Sequence, residues 1–210
     1  MSTTPPDRSA LSRTRAALHA VAEVLVAGPQ YAAHSDIRLA VRPGGFGGWV
    51  TGGAEVVGTD LVTSGGSYPI RGRLADLASA AGIEPRLLID VYSGGPAIDL
   101  DDRVDLDAAA ATRLLGALAA GDTALRDLDP TQRPILWPEH FDVGITVNRV
   151  NYGVSPGDDA IAVPYAYVGP WDVPTGEFWN QPFGAALALT DPTDATTILE
   201  FFRQGRDRLP

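Results

Sequence analysis

Residues 37–70, IRLAVRPGGFGGWVTGGAEVVGTDLVTSGGSYPI, decide the fold class. In 37–42 the apolar Ile37, Leu39 and Val41 alternate with Arg38 and Arg42, the two-residue period of a strand with one face buried. The run Pro43-Gly44-Gly45-Phe46-Gly47-Gly48 turns the chain, and Trp49-Val50-Thr51 returns it. Short strands are expected over 54–57 and 60–63, and Ser64-Gly65-Gly66 turns the chain into another at 67–70. Connections this short join antiparallel neighbours, so the segment is a meander.

Outward from the meander the period changes to that of helices. Upstream, Leu11, Leu18, Val21, Ala22 and Leu25 recur at helical spacing over 9–27. Arg15, His19 and Glu23 are stacked on the opposite, solvent face, and Gly28-Pro29 ends the helix. Residues 1–8 form a tail. Downstream lie a helix over 74–81 closed by Gly82, a strand over 87–92, and a helix over 108–120. The acids Asp99, Asp101, Asp102, Asp105 and Asp107 precede that helix and complement its dipole. Past Asp129-Pro130 the chain becomes rich in aromatic residues and Pro, with strands over 141–148, 151–154, 161–168 and 185–189. Asp191 caps a C-terminal helix whose first residue is Pro192 and whose apolar stripe is Ala195, Ile198, Leu199 and Phe202. The expectation is an α+β fold of antiparallel β-meanders packed with about four helices, one N-terminal, two central and one C-terminal. It forms a single domain over 9–210 whose halves, 9–129 and 130–210, share a plan of strands followed by helix.

Composition removes whole chemistries. The 210 residues are 45% apolar with a formal net charge of −10, and all 16 basic residues are Arg. The absence of Lys excludes a Schiff base or a P-loop lysine. The absence of Cys excludes a thiol nucleophile, a disulfide and Cys-ligated zinc. An acidic chain without a basic stripe is a poor partner for nucleic acid. The N-terminus lacks a signal-peptide pattern, and the longest apolar stretch, broken by His19 and Glu23, is too short for a membrane span. A cytoplasmic protein that binds neither nucleic acid nor membrane is expected.

Apparent motifs weaken on inspection. Gly153-Val154-Ser155-Pro156-Gly157 matches the hydrolase elbow by letter, yet the residue after Ser155 is Pro156, which has no N–H for an oxyanion hole. It reads as a hairpin turn. The 44–48 glycines lack dinucleotide-binding spacing and form either a turn or a flap carrying Phe46 over a pocket. His140 and Asp142, two apart on a strand, point to one face like half of an iron facial triad. No His follows them, and with His19 on solvent only His34 could complete the set. Glu139, Asp142, Asp158 and Asp159 offer oxygens to a hard cation but lack loop spacing. No metal and no cofactor is expected.

The segments LWPEHFD (136–142), NYGVSPGD (151–158) and PYAYVGPW (164–171), with PGGFG (43–47), resemble an uncharacterised family of actinobacterial proteins. The resemblance covers most of the chain after residue 10 and implies an actinobacterial origin, but it carries no activity or catalytic residue. The layout of the first half is similar to that of sterol-carrier-like lipid-binding domains.

The site expected from these readings is an aromatic-lined small-molecule pocket near His140 and Tyr152. His140, as the side chain that titrates near neutrality, is the candidate catalytic base, with Asp142 orienting it. Glu139, Arg149, Asn151, Tyr152 and Trp171 are candidate ligand contacts, and whether chemistry occurs stays open. The alternative is a non-catalytic interaction protein, a homodimer or partner-binding accessory, that uses residues 137–183 as its interface.

Overall fold

The computed structural model describes residues 8–190 and 194–209. Of the expected tail over 1–8, residues 1–7 lie outside these residues and Arg8 already belongs to a helix; the expected cap and helix start at Asp191 and Pro192 also lie outside them. Helix α1 (Arg8–Val21) opens the described chain. It does not stop at Gly28-Pro29. It passes through a π-helical segment, Ala22–Ala27, into α2 (Gly28–His34), which ends at Ser35 in the left-handed region, φ 55°. The wider π turn already hands the Gly28 N–H to the Glu23 carbonyl, so Pro29 starts a helix where its missing donor costs little.

The expected first meander follows, as β1 (Leu39–Arg42), β2 (Gly45–Gly48), β3 (Glu55–Val57), β4 (Asp60–Thr63) and β5 (Gly66–Pro69). The glycine-rich run proves to be β2 itself. A side chain at Gly45 would overlap the Val56 carbonyl, so glycine is what lets β2 and β3 approach. Phe46 is fully buried, which overturns a mobile flap. Helix α3 (Leu74–Ala81) closes on Gly82, φ 67°.

Residues 87–92 form a turn instead of the expected strand. Val91 and Tyr92 both donate to the Leu88 carbonyl, and the Arg86 N–H docks on the Val24 carbonyl of the π turn. Of its apolar residues only Leu88 is buried, while Ile89 is 81% exposed, so there is no strand face to pair. Helix α4 runs Ala108–Leu128, eight residues past the expected end, with Asp107 capping the Ala110 N–H. Of the acids preceding it, Asp101 instead pairs with Arg73 and Asp105 with Arg103.

The second meander comprises β6 (Ile135–Trp137), β7 (Asp142–Val147), β8 (Val150–Ser155), β9 (Tyr165–Pro170) and β10 (Ala185–Ala188). Asn148 and Arg149, both at positive φ, turn β7 into β8 in the manner of a two-residue hairpin loop. Helix α5 (Ala195–Arg206) is capped by Asp194, whose carboxylate accepts from the Thr196 N–H. Among the described residues these ten strands form one antiparallel sheet in the order β10-β9-β8-β7-β6-β1-β2-β3-β4-β5. The meanders meet where Leu39 of β1 faces Leu136 of β6.

Strand alternation then sorts the second meander into two faces. Val143, Tyr152, Val154 and Val168 lie under α4 and α5, which come close because Gly121 and Gly205 have no side chain. A Cβ at these glycines would sit 2.7 Å from Val154 and 2.8 Å from Val168. The other face carries Asp142, Gly144, Asn151, Gly153, Ser155, Tyr165 and Tyr167, and that face is where a site forms.

Candidate functional site

Gly144, Gly153 and Tyr167 are aligned across β7, β8 and β9. Two adjacent glycines leave a trough on the sheet, and the Tyr167 ring lies along it. A Cβ on Gly153 would overlap that ring, and one on Gly144 would stand 3.1 Å from its hydroxyl. The trough aims the hydroxyl at Asp142, and Tyr167 Oη donates to Asp142 Oδ2. Asp142 is only 9% exposed, and among the described residues its Oδ1 has no hydrogen-bond partner. Burial pushes its carboxyl above the usual carboxylate range, against the opposing effect of the Tyr167 bond. Burial also raises the Tyr167 phenol well above its ordinary value, and the neighbouring Asp142 adds to the effect.

Two residues earlier on β9, on the same face, Tyr165 belongs to a pair of opposite character. Tyr165 Oη donates to Asp158 Oδ2 at 2.6 Å, and the N–H groups of Ala160 and Ile161 bond its other oxygen. Burial would raise Asp158, but these three donors outweigh it and hold the carboxyl below its ordinary value. The Tyr165 and Tyr167 rings are 6.3 Å apart. Two carboxyls that line one cleft and are driven in opposite directions are the arrangement from which acid and base roles are drawn.

These pairs line a cleft of about 1380 Å³ between the open sheet face, α1, the loop over 94–104 and the turn over 139–142. Helix α1 supplies Arg15 and His19, so the polar stripe expected on solvent borders the cleft instead, and Glu23, one turn on, is 3% exposed. The turn after β6 covers it. His19 Nε2 meets the Pro138 carbonyl at 2.6 Å, and its ring stacks on Phe141 with centroids 5.4 Å apart. Burial drives the His19 imidazole down to about 4, against that backbone bond. Burial likewise raises the Glu23 carboxyl, beside the Tyr92 hydroxyl.

His140 and Asp142 do not share a strand face. Phe141 between them has φ 51° and is buried, its ring edge-on to Phe46 at 5.5 Å. His140 stays in the turn, with its side chain 65% exposed and 3.8 Å from Glu139. Both residues nonetheless line the cleft, as do Glu139, Asn151 and Trp171. Arg149 and Tyr152 border a separate cavity of about 580 Å³ that also touches Trp171. Tyr152 lies on the helix-covered face, edge-on to Phe202 at 5.8 Å. Arg149 pairs with Asp172 at 3.2 Å over the Trp171 ring. Ser155 is 5% exposed and accepts from the Gly157 N–H at 3.1 Å in a turn that leads to no helix. His34 is exposed at the end of α2, and among the described residues no three His, Cys, Asp or Glu side chains gather as a metal site.

Sequence reasoning does not single out Tyr167, Tyr165 or His19 as ligand contacts, and it weighs Asp158 only as an oxygen donor to a hard cation. The signal for Tyr167 was present as glycines at 144 and 153, which fall in register once the 148–149 turn is recognised. No described helix is long and apolar enough to cross a membrane. No family model matches the chain, and no curated protein or solved structure is significantly similar to it.

Proposed function

We propose that this protein binds a small molecule in the cleft floored by Asp142 and Tyr167. The observation that carries the reading is the Asp142 carboxyl, buried with one oxygen unpartnered on the floor of a large cleft. Leaving a buried polar atom unsatisfied costs about 1–3 kcal/mol, and folded proteins keep few such atoms without a use for them. Exposed Trp171, Val173 and Phe183 give the same cleft an apolar mouth, and apolar walls with a few convergent polar groups are typical of small-ligand sites. Asp142, Glu139, His140, Asn151 and Trp171 are the contacts in this reading. Chemistry on the ligand would fall to His140 and to the two carboxyl–tyrosine pairs.

The test is a thermal-shift screen of the purified chain against metabolites, repeated with Asp142→Asn. A ligand at a hundred times its Kd contributes about 2.7 kcal/mol, and each kcal/mol moves the midpoint of a chain this size by roughly 2–4 °C. A shift seen in the parent and lost in the variant supports the reading. A flat screen, or a shift indifferent to Asp142, refutes it.

The exposed trio Trp171, Val173 and Phe183 also favours a second reading, in which this patch is a homodimer or partner interface. Sedimentation at high micromolar concentration decides the homodimer form, which a strictly monomeric chain rules out.

A further inference from the structure

Three features of the cleft narrow the chemistry of what it can hold. The first is charge. Four acids, Asp102, Glu139, Asp158 and Asp159, line it besides the buried Asp142, against the guanidiniums of Arg15 and Arg103. Both guanidiniums already face acids, Arg15 at 3.7 Å from Asp159 and Arg103 at 2.7 Å from Asp105. With the chain at −10 overall, an anion would enter against the field and a cation along it.

The second feature is Asp142, nine-tenths buried, with Oδ1 lacking a donor. The third is a row of rings. Phe183 and Tyr167 stand 6.4 Å apart, Tyr167 and Tyr165 6.3 Å apart, and the Tyr165 hydroxyl ends the row on Asp158. The row therefore runs from an apolar mouth to a carboxylate. Ring faces attract cations, and the same rings bury apolar surface.

We infer, building on the small-molecule reading above, that the ligand is an elongated organic cation. Its amine-type head faces Asp142 and the acidic wall, and its apolar body lies along Tyr167 and Phe183 toward Trp171. Such a head supplies the donor that Asp142 lacks, and its positive charge favours the ionised carboxyl. Groups facing Asp142 are Tyr167 and Tyr165 from β9 and Glu139 and His140 from the preceding turn, so the carboxyl has no cationic Arg of its own to displace.

The experiment compares three probes of one shape and different charge: phenethylamine, phenethyl alcohol and hydrocinnamate. Binding of each is titrated by NMR at millimolar concentration to the full chain and to Asp142→Asn. The expected result is that the amine binds the parent at least about tenfold more tightly than either other probe, the worth of one hydrogen bond to a charged group. Asp142→Asn should erase that preference while leaving the alcohol unaffected. Equal binding of all three, or preference for hydrocinnamate at Arg15, overturns the cation assignment and leaves the small-molecule reading standing. No binding by any probe overturns both. Should Asp142→Asn fail to give a folded NMR spectrum, the parent's ranking of the three probes decides alone.

Discussion

Tyr167 shows how a side chain is aimed by residues that have none. Its ring occupies the trough over Gly144 and Gly153, and its hydroxyl donates to Asp142 Oδ2. Gly153→Ala should therefore evict the ring, and Tyr167→Phe should strip Asp142 Oδ2 of its phenol donor. Each should lower stability by about 1–3 kcal/mol, read as a fall in the urea midpoint at unchanged slope. His19 provides a test in pH. Its imidazole titrates near pH 4 in the folded chain and near 6.5 when unfolded. The unfolded state thus binds the extra proton first as pH falls, and stability drops between 6.5 and 4. A shift of this size is worth up to about 3 kcal/mol. The raised carboxyls of Asp142 and Glu23 act in the opposite sense over the acid range, so the quantity to measure is the difference between the parent and His19→Gln. A difference that stays flat from pH 7 to 4 would show that His19 is not held neutral by the fold.

Glycines inside helices divide into those the fold needs and those it tolerates. A Cβ on Gly28 would strike the carbonyl of Arg86, the residue whose N–H docks on the π turn, whereas a Cβ on Gly116 of α4 meets nothing. Gly28→Ala should be among the most damaging substitutions in the chain. Gly116→Ala should stabilise it by about 1 kcal/mol, the ordinary helix-propensity gain. Thermal midpoints of the two variants should move in opposite directions. The same elements show what could be learned from sequence. Helix α3 and strand β4 fall where expected, α3 because it has one clean apolar face closed by Gly82 and β4 because glycine-containing turns bound it at both ends. Strand β2 escaped because its identity rests on backbone approach, and four residues with one side chain among glycines have no period to read. The stripe of Arg15, His19 and Glu23 was legible as polar, but a helix facing a polar cleft and one facing solvent have the same pattern. Which of the two obtains depends on the 138–141 turn, more than a hundred residues away.

At the level of the whole molecule, two five-stranded meanders share one sheet through a seam that is narrow in register and deep in the core. Leu39 and Leu136 pair across it and both are fully buried. Truncating either to Ala should cost about 2–5 kcal/mol. The double variant should cost less than the sum, because the two side chains share one neighbourhood. Additive losses in a double-mutant cycle would mean that the meanders are held together elsewhere, for instance by α4, which packs on both.

The strand order has a consequence for how the chain comes off the ribosome. In each meander the seam strand is made first, and later strands are laid outward from it. Strand β1 therefore emerges with one edge bare, and its partner β6 follows only after roughly a hundred further residues. At a translation rate of about 5–20 residues per second, that edge stays open for on the order of 5–20 s. An unpaired strand edge is a template for any other strand nearby, so the half-made chain is at its stickiest just before its second half arrives.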